Sequence, residues 1–188
     1  QSGDEDDYFQ SSLFTIARRR ILWLLILVLA NGLTTKVIAI NDQILKEIVL
    51  LAAFIPLLIG TGGNVGAQSS TVVIRGLSTQ KLKSLGAIKA VVREAITGAL
   101  LGVLMMLVVF PFAWWQGEGP LLASAVSISL ISITTLAATT GAILPLLFDR
   151  MRLDPALMSS PFITTVTDIV GVFIYLSTAK WLLNLSLT

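Results

Sequence analysis

The chain has 188 residues, 55% of them hydrophobic and 13% charged, with 13 Lys and Arg against 11 Asp and Glu and a net charge of +2. This composition, with its strongly positive mean hydropathy, excludes an ordinary soluble domain and marks an integral membrane protein. The absence of Cys removes disulfide frameworks and thiolate metal sites; the absence of His removes imidazole proton relays, His-ligated zinc and Ser-His nucleophiles.

With about 20 residues needed per span, the chain has room for five or six transmembrane helices in one all-α domain. Residues 1–20 hold an acidic run, Asp4 to Asp7, and a short amphipathic piece ending in Arg18, Arg19 and Arg20. They read as a solvated tail leading into an interfacial helix, or as the remnant of a linker, since the chain starts at Gln1 within that acidic run. The first span is predicted at about 21–40, apolar except for Asn31, Thr34, Thr35 and Lys36. The second, about 48–74, contains Pro56 and then GTGGNVGAQSST at 60–71. Two readings of this stretch stand side by side. In one, the glycines form a packing seam between close helices. In the other, they break the span, and the exposed backbone around Gly62 and Gly63 lines a cavity with the amides of Asn64 and Gln68. The lysine and hydroxyl of a phosphate-binding loop are missing.

A basic connection follows, then a third span at about 95–115 that ends in the interfacial pair Trp114 and Trp115. The fourth, about 121–148, is rich in Ser, Thr and Ala, which favours close helix packing. The fifth is predicted at about 155–185, so residues 21–188 form a five-span membrane domain. Ten of the 13 Lys and Arg fall in the N-terminal segment and in the connections after spans two and four; only Lys36, Lys46 and Lys180 lie on the other side. The positive-inside rule therefore predicts a multi-pass protein of the plasma membrane, with a cytoplasmic N-terminus and an extracytoplasmic C-terminus. The basic residues report orientation in the bilayer and not nucleic-acid binding.

Asp168 is the only carboxylate deep in a span. It stands about 18–20 Å from both Pro155 and Lys180 at 1.5 Å per residue, near the bilayer midplane, where an ionised group costs roughly 2.5–3.5 kcal/mol. No Lys or Arg lies at comparable depth. Helical spacing sets Pro161, Thr164, Thr165, Asp168, Gly171, Val172 and Tyr175 on one face, with Phe162, Ile163, Val166, Ile169, Val170 and Phe173 on the other. The polar face offers only hard oxygen ligands, which suit Mg²⁺, Ca²⁺ or Mn²⁺. Two carboxylates would meet if a two-fold homodimer placed its axis along this face. Enzymatic chemistry on a buried bond needs paired catalytic groups, and one deep carboxylate per chain argues against an enzyme. A channel and a divalent-cation carrier both remain compatible with one midplane acid.

The segment PLLIGTGGNVGAQSST at 56–71, followed by Ile74-Arg75-Gly76, closely resembles a signature of the MgtE family of magnesium channels. The segment DPALMSSPFITTVTDIVGVFIYLS, 154–177, resembles a second. The resemblance covers essentially the whole chain. It implies a homodimer with a pore on the two-fold axis, Asp168 of each subunit holding hydrated Mg²⁺, and a backbone carbonyl contributed by Thr164. It also implies regulatory cytosolic domains that this chain lacks, and a secondary ion site at Asp154. That residue reads equally as an N-cap ahead of Pro155. Thr165 and Ser160 complete the expected pore lining, although some family members have asparagine in place of Ser160 and of Ala67.

Overall fold

The computed structural model describes residues 12–79, 86–117 and 119–183. Helix α1 spans Leu13–Ile40, α2 Asp42–Glu47, α3 Val49–Ser78, α4 Ala87–Trp115, α5 Gly119–Arg150 and α6 Pro155–Leu182, and there is no strand among the described residues. Among the described residues, four stretches are long and apolar enough to cross a bilayer, Val49–Ser78, Ala87–Trp115, Gly119–Arg150 and Pro161–Leu182, whereas Leu24–Ile40 of α1 is a shorter apolar stretch. The chain is thus an all-α, multi-pass membrane protein. The acidic run lies outside the described residues. From Leu13 the expected interfacial piece is continuous with α1, because no Pro or Gly interrupts residues 13–31 and the arginines are good helix formers.

Asn41 ends α1 by donating its side-chain amide to the Val37 carbonyl at 2.6 Å, which satisfies one of the helix's orphan acceptors. The short α2 carries an exposed Lys46–Asp42 ion pair and turns Ile44 into the core. Ile48, at φ −129° and ψ 84°, bends the chain into α3. At the other joint, Gly117 and Gly119 take positive φ of 107° and 83°, which glycine adopts without strain, and the chain reverses into α5.

The hub is α5, with α4 on one flank and α3 and α6 on the other; α1 rests mainly on α6. Leu122, Ala123, Ala125, Val126, Leu130, Ile133, Ala137, Ala138 and Ala142 of α5 are fully buried. Small side chains make this possible. In lipid, apolar surface gains little by leaving the acyl chains for another helix, so association rests on close packing. Gly98 and Gly102 of α4 meet Thr134 and Ile131 of α5, while Gly62 and Gly66 of α3 meet Ile133 and Ala137. Both pairs have the four-residue spacing of small-residue contacts. The buried Thr134 hydroxyl turns inward to its own helix, donating to the Leu130 carbonyl at 2.9 Å. The outer face of α4 exposes Ile96, Leu100, Leu104, Leu107 and Val108, the pattern of a lipid-facing helix.

The ends of α3 and α5 and the starts of α4 and α6 gather at one end of the bundle, with Arg75, Lys89, Arg93, Arg150 and Arg152. The helices overrun the predicted spans: α4 begins at Ala87, so the basic connection is shorter than its charges suggested, and Lys89 and Arg93 ride on its first two turns.

Candidate functional site

The glycine-rich stretch is helical throughout. Helix α3 runs unbroken from Val49 to Ser78, through Pro56 and the glycines at 60, 62, 63 and 66. Of the two readings the broken span is therefore corrected, because positions three and four residues apart, Gly62, Val65, Gly66, Ser69 and Ser70, are buried in the bundle. Gly62 lies against Thr167 of α6, and Gly66 against Ile163 of α6 and the backbone of α5. Glycine lowers helix propensity by about 1 kcal/mol, and here it allows three helices to approach at once.

The packing seam and the polar strip are two sides of this one helix. While Gly62, Val65, Gly66, Ser69 and Ser70 are buried, Gly60, Asn64, Gln68 and Thr71 are exposed on the opposite side, three or four residues apart. Gly63 stands at the edge, where an added Cβ would lie 3.8 Å from the Thr164 methyl. Helices α3 and α6 run antiparallel, with Gly62 beside Thr167 and Gly66 beside Ile163. This register sets Asn64 level with Thr164 and Thr165, and Asp168 level with Thr61.

On α6, Thr164 is exposed, and Thr165 and Asp168 are half-buried. The Thr164 hydroxyl donates to the Pro161 carbonyl at 3.0 Å. Its backbone carbonyl sits within α6. No basic side chain among the described residues pairs with Asp168. Nor do the described residues contain a group of three carboxylate, His or Cys side chains that would enclose a metal within one chain. The structure therefore sets Gly63 of α3 beside Thr164 of α6, with Thr165 and Asp168 half-buried on α6, while Asn64 and Gln68 lie on the exposed side of α3 opposite its seam with α5 and α6. Asp154 is exposed directly before Pro155, in the N-cap position of α6. It stands about 21 Å along the helix from Asp168 at 1.5 Å per residue, and so belongs to the end of the bundle. Ser160 falls on the second turn of α6, and its side chain lies outside the described residues.

One part of the predicted face behaves differently. Gly171, Val172 and Tyr175 share the angular position of Asp168 but are buried. Gly171 packs against Ile133 of α5 at ordinary contact distance, and the Tyr175 hydroxyl donates to the Leu51 carbonyl of α3 at 3.1 Å. The open strip ends just beyond Asp168, since helices that cross at an angle cover a straight face along only part of its length. Two residues escaped the sequence reading. The role of Tyr175 as a clasp between α6 and α3 has no local signal. Thr167 faces Gly62, with its hydroxyl buried and lacking a hydrogen-bond partner among the described residues; its spacing from Ile163 was the available clue.

Residues 55–178 match the MgtE family, described as divalent cation transporter. The chain is 38% identical over 165 residues to "Magnesium transporter MgtE" of Thermus thermophilus, an alignment covering 88% of this chain and 36% of that protein. It is 34% identical over 176 residues to the protein of the same name in Bacillus subtilis, covering 93% and 39%, and 33% identical over 168 residues to that of Enterococcus faecalis, covering 87% and 36%. The chain thus spans under two-fifths of the length of these relatives. With two-thirds of its residues matched to the family and the glycine-rich stretch and Asp168 both inside the matched region, the chain belongs to the MgtE family of divalent cation transporters.

Proposed function

We propose that this chain is the pore domain of a homodimeric, Mg²⁺-selective channel of the plasma membrane that mediates magnesium uptake. Its five spans include the apolar part of α1, and the basic end of the bundle faces the cytoplasm, where regulatory domains act on it. The observation that carries this reading is Asp168: a half-buried acid at mid-span, on the same helix as the exposed Thr164 and the half-buried Thr165, with no basic partner among the described residues. Its relatives carry the name of magnesium transporters.

The charge arithmetic favours a shared site. Two Asp168 carboxylates across a two-fold axis carry two negative charges, which one divalent cation cancels, removing the cost of isolated charge at the midplane. Magnesium gives up its water shell reluctantly and needs only one or two carboxylates. Asp168 and the Thr164 backbone carbonyl then hold the hydrated ion through its waters. Such contacts recognise the ion and still release it, as conduction demands. Thr165, Ser160, Gly63, Asn64 and Gln68 border the path, and Asp154 meets the ion at its mouth; Gly62 lies in the packing seam.

The test is uptake into liposomes that contain a Mg²⁺-sensitive dye. Asp168→Asn keeps shape and volume and removes the charge; it should lower uptake at least tenfold while the purified protein remains a dimer by light scattering. Uptake at the wild-type rate would overturn the role of Asp168, and an active monomer would overturn the shared site. Resolved single-channel currents in planar bilayers separate a channel from a carrier.

A further inference from the structure

On the flank of α5 away from Asp168, the start of α4 and the end of α5 diverge and leave a cavity of about 320 Å³. Ligand pockets span roughly 300–1,000 Å³. Its walls include Ile88, Val91 and Val92 of α4 and Leu146 and Leu147 of α5, and its single charged lining residue is Arg150. The cause is a change of side-chain size along the two helices. Gly98 and Gly102 bring α4 against the backbone of α5 in mid-helix, whereas the residues of α4 that line the groove toward Ala87 are the larger, branched Ile88, Val91 and Val92. The groove opens outward: Ile88 is 80%, Val92 51% and Leu147 45% exposed.

Arg150 ends α5, the last residue of a helix otherwise apolar from Ala142 to Phe148, and it lines the groove; a basic residue at the end of an apolar helix extends its charge toward the membrane interface while its stem covers apolar surface. No carboxylate among the described residues forms an ion pair with it. Its neighbour Asp149 lies on the adjacent face of α5, and Glu94 of α4 sits half-buried outside the lining. Lys89 and Arg93, exposed on the first two turns of α4, add positive charge at the same level. An apolar slot with a cation at its mouth is complementary to an amphiphile with an acyl chain and an anionic head, and basic pockets between transmembrane helices bind such headgroups.

We propose that this groove is a binding site for an anionic glycerophospholipid, with one acyl chain between α4 and α5 and its phosphate on Arg150. The site is separate from the ion path and holds whether or not Asp168 binds magnesium. An occupied groove fills the gap between α4 and α5 and splints the flank of the hub helix.

Native mass spectrometry of the protein in detergent, titrated with phosphatidylglycerol or phosphatidylcholine, tests it. One phosphatidylglycerol per chain should be retained in preference to phosphatidylcholine. Arg150→Gln should lower that preference about fivefold, from a contribution typical of one basic side chain at an anionic surface, and Arg150→Lys should restore most of it. Val91→Trp, which fills the slot, should reduce retention of both lipids, and glycerol phosphate without acyl chains should not compete. Equal retention of the two lipids by the wild-type protein, or an unchanged preference in Arg150→Gln, would overturn the proposal. Competition by glycerol phosphate would overturn it too, by showing a site for free phosphate. Far-UV circular dichroism and Asp168-dependent uptake confirm that each variant is folded.

Discussion

Gly141→Ala tests the claim that glycine in this bundle serves contact between backbones. Gly141 sits on α5 where α3 crosses it. A Cβ added there would collide with the Gly66 carbonyl oxygen and stand 3.1 Å from both the Gly66 carbonyl carbon and the Ser69 Cβ. The nearest obstruction is backbone, which cannot rotate away, so the two helices must separate. Replacing glycine by alanine inside a helix gains about 1 kcal/mol of propensity. Overpacking a well-filled contact costs roughly 1–3 kcal/mol, and an immovable neighbour puts this case at the upper end. The net expectation is a loss of about 1–2 kcal/mol, close to a tenfold shift in the folded-to-unfolded ratio. Gly32→Ala supplies the contrast. Its Cβ meets nothing within 4 Å in the middle of α1, so only the propensity gain remains. Unfolding of both variants by a denaturing detergent, followed by circular dichroism, should move in opposite directions. A Gly141→Ala variant as stable as the wild type would refute the seam, since it would mean that α3 and α5 do not approach so closely.

Three further substitutions follow from the same packing. Tyr175→Phe removes the bond to the Leu51 carbonyl and keeps the ring, so unfolding assays should show a loss of roughly 0.5–1.5 kcal/mol. Thr167→Val replaces a fully buried hydroxyl that lacks a partner among the described residues, and should be neutral or stabilising in the same assay. A loss above about 1 kcal/mol would instead reveal a partner for that hydroxyl. Lys46→Met breaks the exposed pair with Asp42 and should cost no more than about 0.5 kcal/mol, decreasing with added salt.

Much of the architecture was legible because lipid imposes simple rules. A backbone in hydrocarbon must satisfy its own hydrogen bonds, so each apolar run between basic or tryptophan-bearing ends became a helix, with bounds displaced by only a few residues except at the starts of α1 and α4. Asp168 was legible because an unpartnered acid at mid-span stands out against its neighbours. The glycine-rich stretch was legible only as two alternatives, a packing seam or a broken span, and the structure takes the seam. Propensity argues for a break there, and contacts with α5 and α6 override it.

The amino-acid sequence alone determined the solvent, the number of apolar runs, the side on which the basic residues collect and the single acid deep in the membrane. Only the tertiary structure decided that α5 is the hub, that Gly62 and Gly66 face inward while Asn64 and Gln68 face out, and that the Asp168 face closes at Gly171 and Tyr175. The reason lies in the surroundings of a membrane helix. Periodicity assigns each side chain an angle about its own axis, but lipid and a neighbouring helix are equally apolar, so hydropathy does not tell which of them stands opposite.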